Sequence, residues 1–197
     1  MHSPFLHYLF YKPYQTLSQF SAEGDKKTLA DFFKGIAKDV YPVGRLDYDS
    51  EGLLFLTNDK DLNHRLLHPS FIHEREYWVQ VEGIPEEKDL MRLRNGIQLS
   101  INGKLYTTRP AKVKVIAPPR LPERNPPVRY RKTVPDSWLS LILTEGKNRQ
   151  VRRMTAAAGF PTLRLVRYRI GAITLNAMKP GDILSLPHEN IRLLFQQ

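Results

Sequence analysis

Apolar positions along the chain fall into short, regularly patterned runs. Leu53-Leu54-Phe55-Leu56, closed by Gly52 on one side and Asn58-Asp59 on the other, has the pattern of a short strand buried on both faces. Glu76 to Glu82 alternates, with Tyr77, Val79 and Val81 on one face and Trp78, Gln80 and Glu82 on the other, and predicts a half-buried strand. Ala111 to Val115 and Leu139 to Leu143 predict two more; His7 to Tyr11, Thr162 to Ile170 and Ile183 to Leu186 add others. Lys12-Pro13 stops the first of these, since proline cannot continue a ladder. Asn102-Gly103, between Ile97 to Ile101 and Leu105 to Tyr106, predicts a tight hairpin. Helical spacing is seen in Leu62, Leu66 and Leu67 before Pro69, and in Leu90 and Leu93 between Pro85 and Asn95-Gly96. It is strongest in Arg149 to Ala158, with Asn148 as cap and Gly159 beyond; Thr28 to Phe33 predicts a shorter helix capped near Thr28. At about 100° per residue, Arg149, Arg152 and Arg153 share one side of the Arg149 helix, while Val151, Met154 and Ala158 share the other. The mixture predicts an α+β fold.

With 197 residues, 41% of them hydrophobic, the chain can bury a core as one domain, or as one domain of two lobes. The expected lobes are Met1 to about Leu67 together with the later basic segment, and a portion from about Ser70 to Pro135. No stretch approaches the roughly 20 consecutive apolar residues that span a bilayer. The apolar opening Phe5 to Tyr11 lacks a basic leader and a cleavage site, so a cytoplasmic protein is expected. The absence of cysteine excludes disulfides, thiolate zinc sites and cysteine nucleophiles. No phosphate loop or Gly-x-Ser-x-Gly elbow supports ATP use or serine-hydrolase chemistry. His64 and His68 have a spacing that zinc can use, but no third ligand is evident.

The net charge of +10 is concentrated. Pro118 to Pro135 carries +4 and Glu145 to Arg169 carries +6, which together make the whole excess. Such clustering favours a polyanion footprint, with nucleic acid preferred to membrane because no basic amphipathic helix exposes an aromatic face. Six prolines keep the Pro118 to Pro135 segment extended, as a binding loop or as a stiff linker.

Ahead of the buried strand stands Gly44-Arg45-Leu46-Asp47-Tyr48-Asp49-Ser50-Glu51-Gly52. A carboxylate held at the mouth of a core strand is a candidate reagent; equally, Asp47, Asp49 and Ser50 can serve only to hydrogen-bond a turn. A second block runs Glu145-Gly146-Lys147-Asn148-Arg149-Gln150-Val151-Arg152-Arg153-Met154. Together with Lys12-Pro13, Tyr77 after Arg75-Glu76, and Gly159-Phe160-Pro161 followed by Leu163-Arg164-Leu165, these motifs resemble, in order, those of the RsuA-type pseudouridine synthases. The resemblance covers about Phe10 to Gly181. Arg124-Asn125-Pro126-Pro127 and Ser137-Trp138-Leu139 are similar to the branch that modifies large-subunit ribosomal RNA. Many members carry an N-terminal S4 domain, whereas here Lys12-Pro13 follows at once, so residues 1–197 are expected to form a single catalytic domain.

The resemblance implies a large, mainly antiparallel mixed sheet with a central catalytic cleft and two lobes. It implies isomerisation of uridine in 23S ribosomal RNA by a monomer with no cofactor, metal or nucleotide. Asp47 is then the catalytic carboxylate, Arg152 the cation that keeps it ionised, and Tyr77 the aromatic residue against the base. Lys12, Arg45, Arg124, Arg129, Arg131, Lys147, Arg149, Arg153, Arg164 and Arg167 form the expected RNA contacts. Taken residue by residue, Lys12 also reads as an ordinary solvated lysine, and Tyr77 as a core tyrosine. The competing functions are another rRNA site for the same chemistry, a non-catalytic rRNA-binding protein, and a glycosidase, which would need a second acid that Asp49 is poorly placed to supply.

Overall fold

The computed structural model describes residues 5–68, 71, 73–129 and 133–196. In chain order the strands and helices begin with β1 (His7–Lys12), β2 (Tyr41–Pro42), β3 (Glu51–Thr57), α1 (Lys60–Leu67), β4 (Arg75–Glu82) and α2 (Glu87–Asn95). Next come β5 (Gln98–Ile101), β6 (Lys104–Thr107), β7 (Lys112–Ile116), β8 (Asp136–Leu143) and α3 (Gln150–Ala157). The last are β9 (Thr162–Ile170), β10 (Ile173–Thr174) and β11 (Ile183–Ser185). Short 3-10 helices cover Leu29–Asp31 and His188–Phe195. The chain divides into two compact units, Met1–His73 with Arg167–Gln197, and Glu74–Val166.

In the first unit the strands neighbour one another in the order β11-β1-β3-β9, with β2 on the other end of β3's ladder and β10 folded onto β9. β1 and β3 pair antiparallel from His7 opposite Thr57 to Lys12 opposite Gly52. All seven residues of β3 are buried, as its apolar run predicts for a strand covered on both faces. Phe10, Leu29, Phe33, Val40, Leu54 and Leu56 form one core cluster, and the Phe10 ring lies 5.2 Å from those of Phe32 and Phe33. Thr28 caps its helix with a reciprocal box: its hydroxyl accepts from Ala30 N at 3.2 Å, and Asp31 accepts from Thr28 N at 2.8 Å.

In the second unit the order is β9-β4-β8-β7, beside a separate two-stranded sheet of β5 and β6. β4 and β8 pair antiparallel over their full length. Val79 and Val81 from β4, Leu139, Leu141 and Leu143 from β8, Leu90 and Leu93 from α2, and Val151 and Met154 from α3 share one core. The hairpin turns on Asn102 and Gly103, both at positive φ, the geometry for which Asn-Gly is favoured.

The sequence reading places the basic segment after Glu145 with the first lobe. The structure corrects this: 145–166 lies in the second unit, because Val151, Met154 and Leu165 pack into its core, and only Arg167 onward returns to the first. Two boundaries also move. α2 begins at Glu87 with Glu86 as its cap, rather than at Pro85, and α3 begins at Gln150 with Arg149 as its cap in a left-handed conformation at φ 52, in place of Asn148.

Candidate active site

In the first unit, the segment from Gly44 to Gly52 is fixed at both ends. Val43 N donates to Phe55 O at 2.8 Å, tying the approach to β3. Ser18, only 3% exposed, then holds Leu46 twice: its Oγ donates to Leu46 O at 2.8 Å and accepts from Leu46 N at 3.1 Å. Ser50 N donates to Asp47 O at 3.0 Å and closes a turn. At the far end Gly52 sits at φ +111, and a Cβ there would lie 2.3 Å from Arg167 O. No other residue fits where β3 passes the β9 backbone so closely. Asp47 is thereby placed half-buried on a rigid turn ahead of a fully buried strand.

Lys12 lies beneath this turn. Its side chain is fully buried, and its ammonium donates to Pro13 O at 2.9 Å and Thr16 O at 2.7 Å. Burial pushes its pKa down to about 7, while the charges of Glu51, Asp49 and Asp47 pull it back up and that of Arg167 lowers it further. Ser50 and Glu51 are buried as well. The turn is therefore an acidic cluster organised over a buried lysine.

In the second unit Tyr77 stands on β4 opposite Leu141 of β8, half-buried against the core. Arg152 lies in the first turn of α3, also half-buried. Glu145 organises the turn that leads into α3: it accepts from Tyr106 Oη, from Arg109 N at 2.9 Å and from Gln150 Nε2 at 2.6 Å. Gln150 in turn accepts from Lys147 N at 2.9 Å, and the exposed Lys147 and Arg149 are carried on the outside of this knot.

Several expected RNA contacts are not on the surface, which corrects the sequence reading. Lys12 is inside, as described. Arg167 is buried with Nε donating to Leu53 O at 2.7 Å, and Arg164 is buried with Nη2 donating to Pro122 O at 2.9 Å. Arg124 is spent on loop carbonyls: it donates to Pro126 O at 2.8 Å, Pro127 O at 2.9 Å and Leu163 O at 3.4 Å. A guanidinium has enough donors for such stapling, and composition alone does not distinguish a staple from a phosphate contact. The proline-rich segment is consequently pinned to the start of β9 by Arg124 and Arg164. Arg153 is half-buried and donates to Ser100 O at 2.6 Å. Arg45, Arg129, Lys147 and Arg149 are exposed, and Arg131 lies outside the described residues. His64 and His68 rings are 5.1 Å apart, and among the described residues no three metal-ligating side chains are gathered.

Two features had no sequence signal. Ser18 stands between Leu17 and Gln19 with nothing to mark it as a clamp, and Tyr106 is 39 residues from Glu145.

The RNA pseudouridylate synthase family model matches residues 7–157. This chain belongs to that family. It is 56% identical over 187 residues to the ribosomal large subunit pseudouridine synthase E of Xanthomonas axonopodis pv. citri, covering 93% of this chain and 95% of that one. It is 55% identical over 174 residues to the protein of the same name from Vibrio parahaemolyticus, covering 88% of this chain and 71% of that one. A crystal structure of a pseudouridylate synthase superposes with a TM-score of 0.80 at 27% identity, covering 97% of this chain and 74% of that one. The synthase is thus an RNA-modifying enzyme that isomerises uridine to pseudouridine, with the α+β, mostly antiparallel fold that the resemblance implies. Among the described residues, no helix of the synthase is long and apolar enough to cross a membrane.

Proposed function

We propose that the synthase converts a uridine of 23S, large-subunit ribosomal RNA to pseudouridine, with Asp47 as its catalytic carboxylate. The observation that carries the assignment is the setting of Asp47: a half-exposed acid on a turn clamped by Ser18 and Gly52 in front of a buried strand. Identity above one half to two large-subunit synthases supports the choice of RNA.

The reaction breaks the bond from sugar C1′ to base N1 and joins C1′ to C5; C5 loses its proton to solvent and N1 takes one up. There is no net redox change and no group transfer, so no cofactor is needed. Asp47 acts at the sugar, either by attacking C1′ or by removing a sugar proton, and both uses require an ionised carboxylate. Following the family's motifs, Arg152 is assigned the cationic role that keeps the carboxylate ionised. Tyr77 stacks on the base; a free phenol, with a pKa of about 10, is a poor base at neutral pH. The target nucleotide must leave its stack before Asp47 reaches C1′. Arg45, Arg129, Lys147, Arg149 and the exposed part of Arg153 repay that cost through phosphate contacts. The enzyme works as a cytoplasmic monomer.

Mapping pseudouridine in ribosomal RNA from cells lacking the gene tests the substrate. One carbodiimide-dependent reverse-transcription stop should vanish from large-subunit RNA and return when the gene is restored. An unchanged large-subunit map, or a loss confined to small-subunit RNA, would refute it.

A further inference from the structure

The β5–β6 hairpin takes no part in this chemistry, yet it is bonded to the basic turn before α3 from several sides. Tyr106 Oη donates to Glu145, whose other oxygen accepts from Arg109 N at 2.9 Å. The Lys147 ammonium lies 5.1 Å from the centre of the Tyr106 ring, and Arg153 Nη1 donates to Ser100 O at 2.6 Å. Burial and the hydrogen bond to Glu145 raise the Tyr106 pKa to about 12, so its phenol keeps donating at any physiological pH.

This wiring has an electrostatic consequence. Glu145 is the acid of the group, and it is engaged by Tyr106, Arg109 N and Gln150, whereas Lys104, Arg109, Lys147 and Arg149 are all exposed. Next to Lys104, on the opposite face of β6 from Tyr106, stands Leu105, 73% exposed and opposite Ser100 in the hairpin register. A single exposed leucine is ordinary. One held out on a tight ribbon that a half-buried network ties to the basic turn is positioned to lie against a nucleotide while its neighbour Lys104 takes a phosphate.

We infer that the β5–β6 hairpin is a second RNA-gripping surface, in which Lys104 and Arg109 extend the phosphate contacts of Lys147 and Arg149 and Leu105 packs on a sugar or base. The inference rests on ribosomal RNA being the substrate. It adds an element that the family's motifs do not include, and it explains why the basic turn is tied to a hairpin rather than left as a free loop.

The test is filter binding of a full-length large-subunit rRNA transcript across a salt series. Lys104→Gln/Arg109→Gln should lower the slope of log affinity against log salt by roughly 1.4 to 1.8, since each of two lost phosphate contacts removes about 0.7 to 0.9 of a counterion. Leu105→Ser should weaken binding at every salt concentration without changing the slope. Lys38→Gln/Lys60→Gln, which removes the same charge from exposed positions in the first unit, should leave the slope at its wild-type value. Unfolding midpoints of all three variants should match wild type. A hairpin variant with the wild-type slope, or with a loss equal to that of the Lys38/Lys60 control, overturns the inference. Failure of the wild-type protein to modify the transcript would instead refute the proposed substrate, and the slope still reads the hairpin because binding is measured separately from conversion.

Discussion

Ser18→Ala should uncouple the turn that carries Asp47 from the body of the first unit. The substitution deletes one hydroxyl that makes two hydrogen bonds to Leu46, at 2.8 and 3.1 Å, and leaves a buried N–H and a buried C=O without their partner. At about 1 to 3 kcal/mol for each stranded buried group, with partial relaxation, the loss is about 2 to 4 kcal/mol. For a protein of this size that is a fall in melting temperature of roughly 5 to 15 °C. The sharper consequence is kinetic. Leu46 directly precedes Asp47, and a displacement of about 1 Å at a reacting group costs on the order of 100-fold in rate. Single-turnover rates well below the melting transition should therefore drop by about 10- to 100-fold while RNA affinity falls much less, because Arg129, Lys147 and Arg149 belong to the second unit and, of the exposed cations, only Arg45 adjoins the clamped Leu46. Ser18→Thr keeps the hydroxyl and should recover most of the rate. A Ser18→Ala enzyme that is less stable but turns over at the wild-type rate would refute the positioning role and leave Ser18 as part of the fold alone.

The buried Lys12 sets a pH dependence of stability. Its folded pKa of about 7 lies below its ordinary 10.5, so between those values the unfolded chain binds more protons and unfolding free energy rises with pH, by up to about 1.4 kcal/mol per pH unit. Lys12→Met should flatten that rise in denaturant titrations between pH 7 and 10, and an unchanged pH slope would contradict it. Gly52→Ala should cost about 3 to 5 kcal/mol or prevent folding, since its Cβ would meet Arg167 O at 2.3 Å; near-wild-type thermal stability would show that β9 gives way there. Tyr77→Phe should retain turnover and Tyr77→Ala should lose about 10- to 100-fold, the worth of one base stack. A Phe variant as impaired as Ala would return the hydroxyl to the mechanism.

Legibility followed from whether a feature was local. Leu53 to Leu56 announced a strand buried on both faces because its run is continuous, and Asn102-Gly103 announced its hairpin because the turn needs two positive φ values. Gly44 to Gly52 announced a fixed carboxylate, although not what fixes it. Ser18 is 28 residues from Leu46, and nothing in a serine between Leu17 and Gln19 signals a double clamp. The basic residues were the least legible. Charge predicts a footprint, but Arg124, Arg164 and Arg167 each found carbonyls to bind, and Lys12 lost its place on the surface to burial, outcomes decided by tertiary contacts that composition does not encode. Assigning the basic segment to the first lobe failed for the same reason: α3 is amphipathic, and its apolar face chose the second unit's core.

The most direct test of Asp47 as the catalytic carboxylate is tritium release from ribosomal RNA labelled at uridine C5. The wild-type enzyme should release tritium to water in step with pseudouridine formation and without freeing uracil, since the base is rejoined to the sugar through C5. Asp47→Asn, which keeps the shape of the side chain but is neither nucleophile nor base, should release none while binding the RNA with wild-type affinity. Tritium release by Asp47→Asn at a substantial fraction of the wild-type rate, or free uracil from the wild-type enzyme, would contradict the account.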